Sequence, residues 1–457
     1  MRVLYVVHQF FPKHISGTEQ YVLALARAGR AAGDDVRVWA IDPTGRGPGE
    51  PPTEERRYEW EGVPVTSFRF DFPDVKNQVL VDWWNPRNAE SFERLLQEFE
   101  PEVAHAFHLR LAGIDRLDQL ERRAIPFLVH LMDFWFVCPI YLLLRTEREL
   151  DAEGRPTGVV RQVQCDGPPD GGYGCFDCAH TGIAPWAREP WARARHAERR
   201  AAGAPPEDDL SGEQAGFAMI ERPRRLAAAL RRAAEVLAPS RTVAEALARA
   251  QASPPRLQVV PYAIDRARLE RIAPAPGDAV HFGFLGTFAP HKGLAVLLEA
   301  FRGLPDPRVR LHCFGRFGTF PDYDATLRAI AADDARVTFH GAFAHAGIAR
   351  ALGGLHVLVV PSLWRENTPF VCLEARAAGL ELVTSDLPGM TECVPVGRGR
   401  AFAAGDATAL REQLAAAADD VRSRGHARLE PDRSIPDVHA QYADFRARYQ
   451  VARGRAP

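Results

Sequence analysis

The chain has almost no lysine, although positive charge is common in it. Lys13, Lys76 and Lys292 are the only lysines among 57 basic residues, so arginine is the ordinary cation and each lysine stands out. The formal net charge is only −2, and no basic run with interleaved aromatic residues occurs. These features give no reason to expect nucleic acid as a partner.

Long hydrophobic runs are missing as well. Phe127–Leu144 is mostly apolar, but His130 and Asp133 interrupt it, so it predicts a buried strand and a loop rather than a membrane span. Met1–His8 turns polar too early for a secretion signal. We therefore expect a cytoplasmic protein, in which Tyr141–Leu144 either packs in the core or makes a peripheral contact with the inner face of the membrane.

The third absence is a dinucleotide fingerprint. No Gly-x-Gly-x-x-Gly follows the first strand, which argues against a Rossmann-type dehydrogenase. Instead, apolar strand patterns alternate with amphipathic helical patterns, an order typical of parallel sheets covered by helices. The predicted strands are Arg2–His8, Val36–Ile41, Val63–Phe68, Val103–Phe107, Phe127–Leu131, Ala234–Pro239, Leu257–Pro261, His281–Thr287, Val309–Phe314, Val337–His340, Leu355–Pro361 and Glu381–Ser385.

The alternation of strand and helix patterns restarts after a stretch without a clear pattern that follows residue 265. A length of 457 residues fits two domains of ordinary size. We predict an α/β fold with two Rossmann-like domains. The first covers 1–265, with a helical insertion at about 186–236, and the second covers 266–430. Apolar residues at helical spacing in Ser434–Tyr449 predict a terminal helix within 431–457, whose docking site the sequence does not show.

The segment Pro361–Glu374 places two carboxylates around a helix start. Thr368 fits the N-cap and Pro369 the first helical position, which leaves Glu366 in the entry loop and Glu374 on the second turn. Backbone N–H groups and the helix dipole favour an anion there, and carboxylates accept hydroxyls, so the segment suits a nucleotide diphosphate sugar. The alternative is a surface helix whose acidic residues favour its N-terminal end.

Two flanking strands strengthen the first interpretation. The apolar Leu355–Pro361 precedes the loop, and Glu381–Ser385 follows the helix. This order places the carboxylates at the carboxyl ends of parallel strands, where open α/β sheets bind ligands.

Four of the seven cysteines form an array, Cys-x26-Cys-x9-Cys-x2-Cys, in the glycine-rich loop 138–178. The members are Cys138, Cys165, Cys175 and Cys178. Four thiolates with a terminal Cys-x-x-Cys pair would complete a closed, structural zinc site. An iron–sulfur cluster, a disulfide pair and free thiols are the alternatives, and the lack of a secretion signal argues against the disulfide.

The chain resembles the retaining glycosyltransferases of family 4, which have the two-domain GT-B architecture. The resemblance covers nearly the whole sequence and is carried by Ser16–Gln20, Asp133–Pro139, Val260–Asp265, Gly286–Gly293 and Glu366–Glu374. It implies two parallel sheets facing across a cleft, with the donor held chiefly by the second domain and the acceptor presented by the first. A cysteine-rich loop like this one occurs in a subset of the family.

The resemblance also implies roles for individual residues. Glu366 would bind the donor sugar, Glu374 the ribose and Lys292 the diphosphate, which a compact ammonium suits. Gly17 would let the backbone of the first domain approach the diphosphate. The remaining donor-site candidates, by backbone amide or side chain, are Thr287, Arg365, Asn367, Thr368 and Phe370.

Two positions depart from the family pattern. Many relatives have an arginine where this chain has Thr287, so Arg316 or Arg365 would have to supply a second cation for the leaving phosphate. Relatives often have a histidine at Met132, facing the reacting sugar. His130 or Asp133 would then take that catalytic role, with His105 and His108 as further strand-end candidates.

The expected function is retaining transfer of a hexose-type sugar from a UDP- or GDP-sugar to a hydroxyl, in polysaccharide or glycoconjugate biosynthesis. The acceptor would be a glycan, a lipid-linked glycan or a small metabolite, and no cofactor is needed for the transfer. Two alternatives are a nucleotide-sugar epimerase of the same architecture and a non-catalytic regulator that binds a sugar nucleotide or a metal.

Overall fold

The structure is a computed structural model that describes residues 1–454 except 46, 48, 73–74, 151–155, 180–189, 204–211, 270–276 and 343–346. The chain forms two compact units, Met1–Pro261 with His439–Pro457, and Tyr262–Val438. This division differs from the predicted one at both ends of the second domain. The chain enters the second unit four residues earlier than predicted and returns to the first unit for its terminal helix. Part of the predicted insertion at 186–236 lies outside the described residues.

The first unit is built on a parallel sheet. Its strands run in the order β10-β9-β6-β5-β1-β2-β4-β3, and only β3 pairs antiparallel, with β4. A separate hairpin, β7 and β8, lies outside this sheet. The strand bounds are β1 Arg2–Val7, β2 Asp35–Asp42, β3 Thr53–Trp60, β4 Val63–Phe70, β5 Val103–Ala106, β6 Phe127–His130, β7 Leu144–Leu150, β8 Pro156–Gln164, β9 Glu235–Ala238 and β10 Leu257–Val259.

Helices connect these strands because parallel neighbours require crossover connections. The central strand β1 is buried along Val3–Val7, as expected for a strand covered on both faces. The helix bounds are α1 Gly17–Ala31, α2 Gln78–Val81, α3 Ala89–Phe99, α4 Asp115–Arg122, α5 Phe176–Ala179, α6 Pro190–Ala201, α7 Gly212–Arg232 and α8 Arg241–Arg249.

The second unit has a fully parallel sheet in the order β13-β12-β11-β14-β15-β16. Its core packs strand residues such as Phe282 and Leu311 against helix residues such as Leu297, Phe301 and Leu414. The bounds are β11 Val280–Leu285, α9 Leu294–Arg302, β12 Val309–Phe314, α10 Pro321–Ala331, β13 Val337–Gly341, α11 Ile348–Gly353, β14 Val357–Val360, α12 Phe370–Ala377, β15 Glu381–Ser385, β16 Gly399–Phe402 and α13 Ala407–Ser423.

The terminal helix α14, Val438–Gly454, docks on the first unit. The Tyr442 hydroxyl donates to Asp34 at 2.8 Å, and Tyr449 lies 2.7 Å from His105 Nδ1. A Cβ at Gly29 would meet the Tyr442 ring at 2.6 Å, so glycine permits this close packing. Tyr442, Phe445 and Tyr449 of the predicted apolar face therefore pack on the first unit, and the helix begins at residue 438 rather than 434.

A row of histidines crosses the second sheet on the face opposite the core. His281 Nδ1 lies 2.8 Å from His312 Nε2, and His312 Nδ1 lies 2.9 Å from His340 Nε2. The His281 backbone N–H donates to His356 Nδ1 at 3.1 Å, and the rings of His356 and His426 are 5.5 Å apart. Burial and the neighbouring rings lower the pKa of His312 to about 4. These residues share a face because alternate residues of a strand point the same way.

Candidate functional site

The donor-site candidates gather in the second unit, in the connection between β14 and α12. The helix begins at Phe370 with Pro369 as its N-cap residue, so the prediction that Thr368 caps the helix is wrong. The Thr368 hydroxyl instead donates to the carbonyl of Asn367 at 2.5 Å. The helix ends at Ala377.

Glu366 is the centre of this loop. Its Oε1 accepts from Lys292 Nζ at 2.7 Å, Ser362 Oγ at 2.8 Å and Trp364 Nε1 at 2.9 Å. The side chain is only 4% exposed, so these three donors replace the water that a buried carboxylate loses. The arrangement holds Glu366 in one orientation beside the N-terminal end of α12.

Lys292 reaches Glu366 from a different loop, at the end of the 3-10 turn Pro290–Lys292 after β11. Its Nζ lies 4.9 Å from the centre of the Trp364 ring, and its side chain is 27% exposed. Gly293 has φ +72°, and a Cβ there would lie 1.8 Å from the Pro361 carbonyl oxygen. Glycine is therefore needed for the two loops to meet, and Lys292 keeps a solvent-facing side while it contacts Glu366.

Glu374 lies on α12 and is 5% exposed. Burial raises the pKa of its carboxyl to about 7, so its charge depends on pH near neutrality. A carboxyl in this state gains from a ligand whose hydroxyls stabilise the ionised form. That property suits the predicted contact with a ribose, and the role itself stays a prediction.

Sequence analysis missed two residues that shape the loop. Gly389, with φ +84°, would place a Cβ 1.7 Å from the Glu366 carbonyl oxygen, so only glycine lets its segment pack there. Tyr262 stacks on Phe370 with ring centroids 4.6 Å apart, and its hydroxyl accepts from Asn367 Nδ2 at 3.3 Å. The Gly389-Met390 segment after β15 carried no recognised signal, but Tyr262 lies within Val260–Asp265, which marked the family resemblance.

The other donor-site candidates are less closely tied to this centre. Thr287 and Arg316 are exposed, and Arg365 is half-buried next to Glu366 in sequence. Gly17 is exposed at the first position of α1 in the first unit. The structure brings together Lys292, Glu366 and the start of α12, while a second cation for a leaving phosphate stays a prediction.

A second polar cluster lies at the strand ends of the first unit. Asp133 Oδ2 lies 2.9 Å from His108 Nε2, and Asp133 Oδ1 accepts the Trp135 N–H at 2.7 Å. His108 Nδ1 accepts the Arg110 N–H at 3.1 Å, so the imidazole proton is on Nε2 and points at Asp133. The His8 ring lies 4.2 Å from the His108 ring. Asp133 is thus fixed by a histidine from a strand 25 residues earlier.

The prediction that His130 could act on the sugar needs correction. His130 is fully buried, with Tyr21, Phe107 and Phe445 rings within 6 Å of its own. Burial lowers its pKa to about 3, so it stays neutral as part of the core. His105 is also fully buried beneath the terminal helix. The strand residues point inward because the helix covers that face, which the sequence did not indicate.

The four cysteines of the array line one pocket, and no disulfide joins any of the seven cysteines. Among the described residues, no three His, Cys, Asp or Glu side chains are already arranged to hold a metal ion. Leu143 and Leu144 are buried against this pocket, and only Tyr141 of their segment is exposed. Across the described part of the chain, no helix is long and apolar enough to cross a membrane.

Two protein families match the chain, one in each unit. Residues 16–155 match the Glycosyl transferase 4-like domain, and residues 279–420 match Glycosyl transferases group 1. The second match contains the whole Lys292–Glu366–Glu374 region, and the first contains Asp133 and His108.

Curated relatives match over shorter stretches. GDP-mannose:glycolipid 4-beta-D-mannosyltransferase of Xanthomonas campestris pv. campestris is 31% identical over 113 residues, which are 24% of this chain and 31% of the relative. Phosphatidyl-myo-inositol mannosyltransferase of Mycobacterium leprae (strain TN) is 33% identical over 138 residues, which are 29% of this chain and 36% of the relative. The chain thus spans about a third of the length of the curated relatives it matches.

Solved structures resemble the chain over nearly its full length. Sucrose-phosphate synthase from Thermosynechococcus elongatus has a TM-score of 0.61 at 16% identity, covering 98% of this chain and 99% of that one. Alr3699/HepE of Anabaena, solved with UDP and glucose, has a TM-score of 0.56 at 15% identity, with the same coverage. The fold is therefore GT-B. Each of the two family matches covers less than a third of the chain, so the chain is similar to a Glycosyl transferase 4-like domain in its first unit and to Glycosyl transferases group 1 in its second.

Proposed function

We propose that this protein transfers a hexose from a nucleotide diphosphate sugar to a hydroxyl acceptor, with retention at the anomeric carbon. The observation that carries the proposal is the Glu366 carboxylate, held by Lys292, Ser362 and Trp364 beside the start of α12. This places a fixed cation and a fixed hydrogen-bond acceptor at the carboxyl ends of parallel strands, where α/β sheets bind ligands.

Three parts of the donor, the diphosphate, the sugar and the ribose, would each bind a different group of the protein. The diphosphate binds Lys292 and the first turn of α12, where the helix dipole favours negative charge. Glu366 orients the sugar by accepting hydrogen bonds from the sugar hydroxyls, and Glu374 accepts hydrogen bonds from the ribose hydroxyls. The 27% exposure of Lys292 supports this division, because the ammonium can take a phosphate oxygen without leaving Glu366.

In the proposed reaction, the bond between the anomeric carbon and the diphosphate oxygen breaks. The acceptor oxygen bonds to the same face of the sugar, and its proton passes to the departing phosphate. Lys292 and the amides of α12 stabilise the negative charge that develops on the leaving group, which is the largest contribution expected from fixed protein groups. No covalent nucleophile is assigned to the chain.

The first unit would present the acceptor. Asp133 is 23% exposed and is oriented by His108, so its carboxylate can accept a hydrogen bond from a hydroxyl of the acceptor. The names of the curated relatives support testing lipid-linked glycans as acceptors and GDP-mannose as a donor. The UDP and glucose held by the Anabaena protein support UDP-glucose as the next donor to test.

The decisive experiment measures nucleoside diphosphate release from UDP-, GDP-, ADP- and TDP-sugars, with and without a mixture of glycan and lipid-linked acceptors. We expect one donor to be turned over, faster with acceptor, and the anomeric configuration of the product to match the donor by NMR. Inversion would exclude the retaining mechanism. Conversion of the donor sugar without any acceptor would favour an epimerase.

The matched variants are Glu366→Gln and Glu412→Gln. Both remove one negative charge from the second unit, but Glu412 is exposed on α13, outside the loop. We expect release to be lost in the first and kept in the second. Equal activity in both variants, or no turnover of any donor by the wild type, would contradict the proposed site.

A further inference from the structure

The cysteine array converges in the folded chain although its members are up to 40 residues apart. Cys138, Cys165, Cys175 and Cys178 all line one pocket with a cavity of about 20 Å³, enough for a single water-sized particle. They come from three parts of the chain: the loop after β6, the end of the β7–β8 hairpin, and the 3-10 turn Pro169–Cys175 together with α5, which holds Cys178.

Arg222 on α7 supplies a buried positive charge beside the pocket. It is 2% exposed, and its charge acts on the thiols of both Cys138 and Cys175. Its ion-pair partner Asp82, at 3.6 Å, also binds Arg110 at 3.0 Å, so two guanidinium groups share one carboxylate. The buried guanidinium of Arg222 therefore places a positive charge beside the pocket, which complements a group of net negative charge.

The loop between Cys165 and Cys175 packs on α7, the helix that also carries Arg222. Pro169–Cys175 packs on α7, where a Cβ at Gly172 would lie 3.2 Å from the Met219 carbonyl oxygen. Gly167, Gly171 and Gly172 have φ of +134°, +62° and +105°, so the chain turns sharply between Cys165 and Cys175. These turns bring Cys165 and Cys175 to the same pocket.

We propose that Cys138, Cys165, Cys175 and Cys178 bind one zinc ion as a structural four-thiolate site. The donor set fits zinc, which takes four sulfur ligands at about 2.3 Å in closed sites. The sulfurs are not yet at that spacing, so the ion draws them together as it binds, as expected for sites whose metal binding is coupled to folding. Four Zn–S bonds form, four thiol protons pass to solvent, and no group is oxidised or reduced. The complex carries a double negative charge, which Arg222 offsets.

The zinc site would support the acceptor-side cluster of the first unit. Cys138 ends the segment that starts at Asp133, and its N–H donates to the Phe134 carbonyl at 2.8 Å. Arg222 donates to the Trp135 carbonyl and lies over the Trp135 ring at 4.9 Å. Zinc would thus hold the Cys138 end of the segment while Arg222 holds it at Trp135, so the ion has a positioning role only.

The test uses the full chain, purified without added metal. We expect about one zinc per chain by elemental analysis. Removal with a chelator should make four thiols more reactive, lower the melting temperature and increase cleavage of the Asp133–Cys178 region by protease. Added Zn²⁺ should reverse all three changes, and Co²⁺ should give the intense visible bands of cobalt bound by thiolates. Proton release on adding Zn²⁺ to the chelated protein reports thiolate formation directly.

The matched variants are Cys175→Ser and Cys313→Ser. Cys313 is buried on β12 in the other unit, so its variant should keep zinc while the first loses it. The chelator experiment on the wild type decides the question if Cys175→Ser does not fold. The proposal fails if the folded wild type neither retains zinc nor gains thiol protection from it. Iron with acid-labile sulfide, or a disulfide found by thiol counting under denaturing conditions, would also overturn it.

Discussion

The two units build polar sites at their strand ends in different ways. In the second unit, Lys292, Ser362, Trp364 and Glu366 come from two short connections, and three of the four lie within five residues. In the first unit, Asp133 depends on His108, which belongs to a different strand end. A site made within one connection can be recognised from local spacing. A site made between the ends of different strands is harder to recognise, because the sequence must also show which face of the sheet each side chain points to.

The largest effect should come from Lys292, because it is the one lysine in the second unit and contacts Glu366 directly. We expect Lys292→Met to lower the rate of nucleoside diphosphate release by about 10²–10³-fold through loss of leaving-group stabilisation. Steady-state release assays measure this change. Lys76→Met, at an exposed lysine of the first unit, is the control and should keep full activity. A loss below about fivefold would assign the leaving group to an arginine such as Arg365 instead.

The second prediction separates the two histidines of the first unit. His108→Leu removes the donor to Asp133, and we expect turnover to fall by about 10–100-fold, as for other groups that orient a reacting side chain. His130→Phe changes a buried ring in the core, so it should alter the melting temperature and leave turnover per folded molecule unchanged. Assays corrected for the folded fraction measure both effects. The reverse pattern would restore His130 as the site residue.

Local sequence patterns were sufficient for most strands. Val309–Phe314 and Glu381–Ser385 occur at the predicted residues, because the first alternates apolar and polar residues and the second has a short apolar centre, and both patterns are typical of strands. The sequence missed β3, whose charged residues Glu54, Glu55, Arg56 and Arg57 suit an exposed edge strand but break the apolar pattern. It also missed the β7–β8 hairpin and the four-residue strand β16.

The candidate donor site, like the strands, could be predicted only where local sequence patterns determine it. Glu366 and, to within one residue, the start of α12 could be placed from spacing next to a strand end, whereas Lys292 was indicated by the family resemblance and by the rarity of lysine. Gly389 and the burial of His130 could not, because they depend on a loop and a terminal helix that pack from distant parts of the chain. Resemblance indicated that a histidine was missing at Met132, but only the packing shows that His108 lies beside Asp133.

Glu374 offers a sharper test within the second unit. Its carboxyl pKa is raised from 4.5 to about 7, so its protonated form stabilises the fold fully below pH 4.5, and that contribution is lost as pH rises through 7. Glu374→Gln should therefore raise the stability of the unliganded protein at pH 8 by about 1–3 kcal/mol. The same change should weaken donor binding. In the wild type, donor affinity should fall about tenfold per pH unit below 7, because ribose hydroxyls bind the ionised form.

Chemical denaturation and calorimetric titration with the donor at pH 6 and pH 8 measure both halves of this prediction. Glu412→Gln again serves as the control, since it is exposed and outside the loop. A Glu374→Gln variant that binds donor as well as the wild type would remove Glu374 from the site, whatever its effect on stability.

The histidine row should make the second unit sensitive to acid. The folded pKa of His312 is lowered from 6.5 to about 4, so its neutral form stabilises the fold above pH 6.5, and this contribution is lost as pH falls toward 4. The charged groups that face the row are Arg310, Arg424 and Arg428 and the other histidines, and all of them oppose protonation. Between pH 7 and pH 5 the wild type should lose about 1 kcal/mol more than His312→Gln, allowing for solvent screening. Urea unfolding measures the difference, with exposed His439→Gln as the control. Parallel pH profiles for His312→Gln and the wild type would contradict the assignment.

The smallest expected effect tests the corrected helix start. Ser240 caps α8, where its hydroxyl accepts the Val243 N–H at 3.3 Å, so Ser240→Ala should lower the free energy of unfolding by about 1 kcal/mol. Thr368 makes no such bond, because Pro369 holds the N-cap position of α12 and the Thr368 hydroxyl donates to a carbonyl instead. Thr368→Ala should therefore change the free energy of unfolding by less than about 0.5 kcal/mol. If the two alanine variants lose equal stability, the hydroxyl of Thr368 caps the helix in solution, and the start of α12 moves toward the residues that the sequence alone predicted.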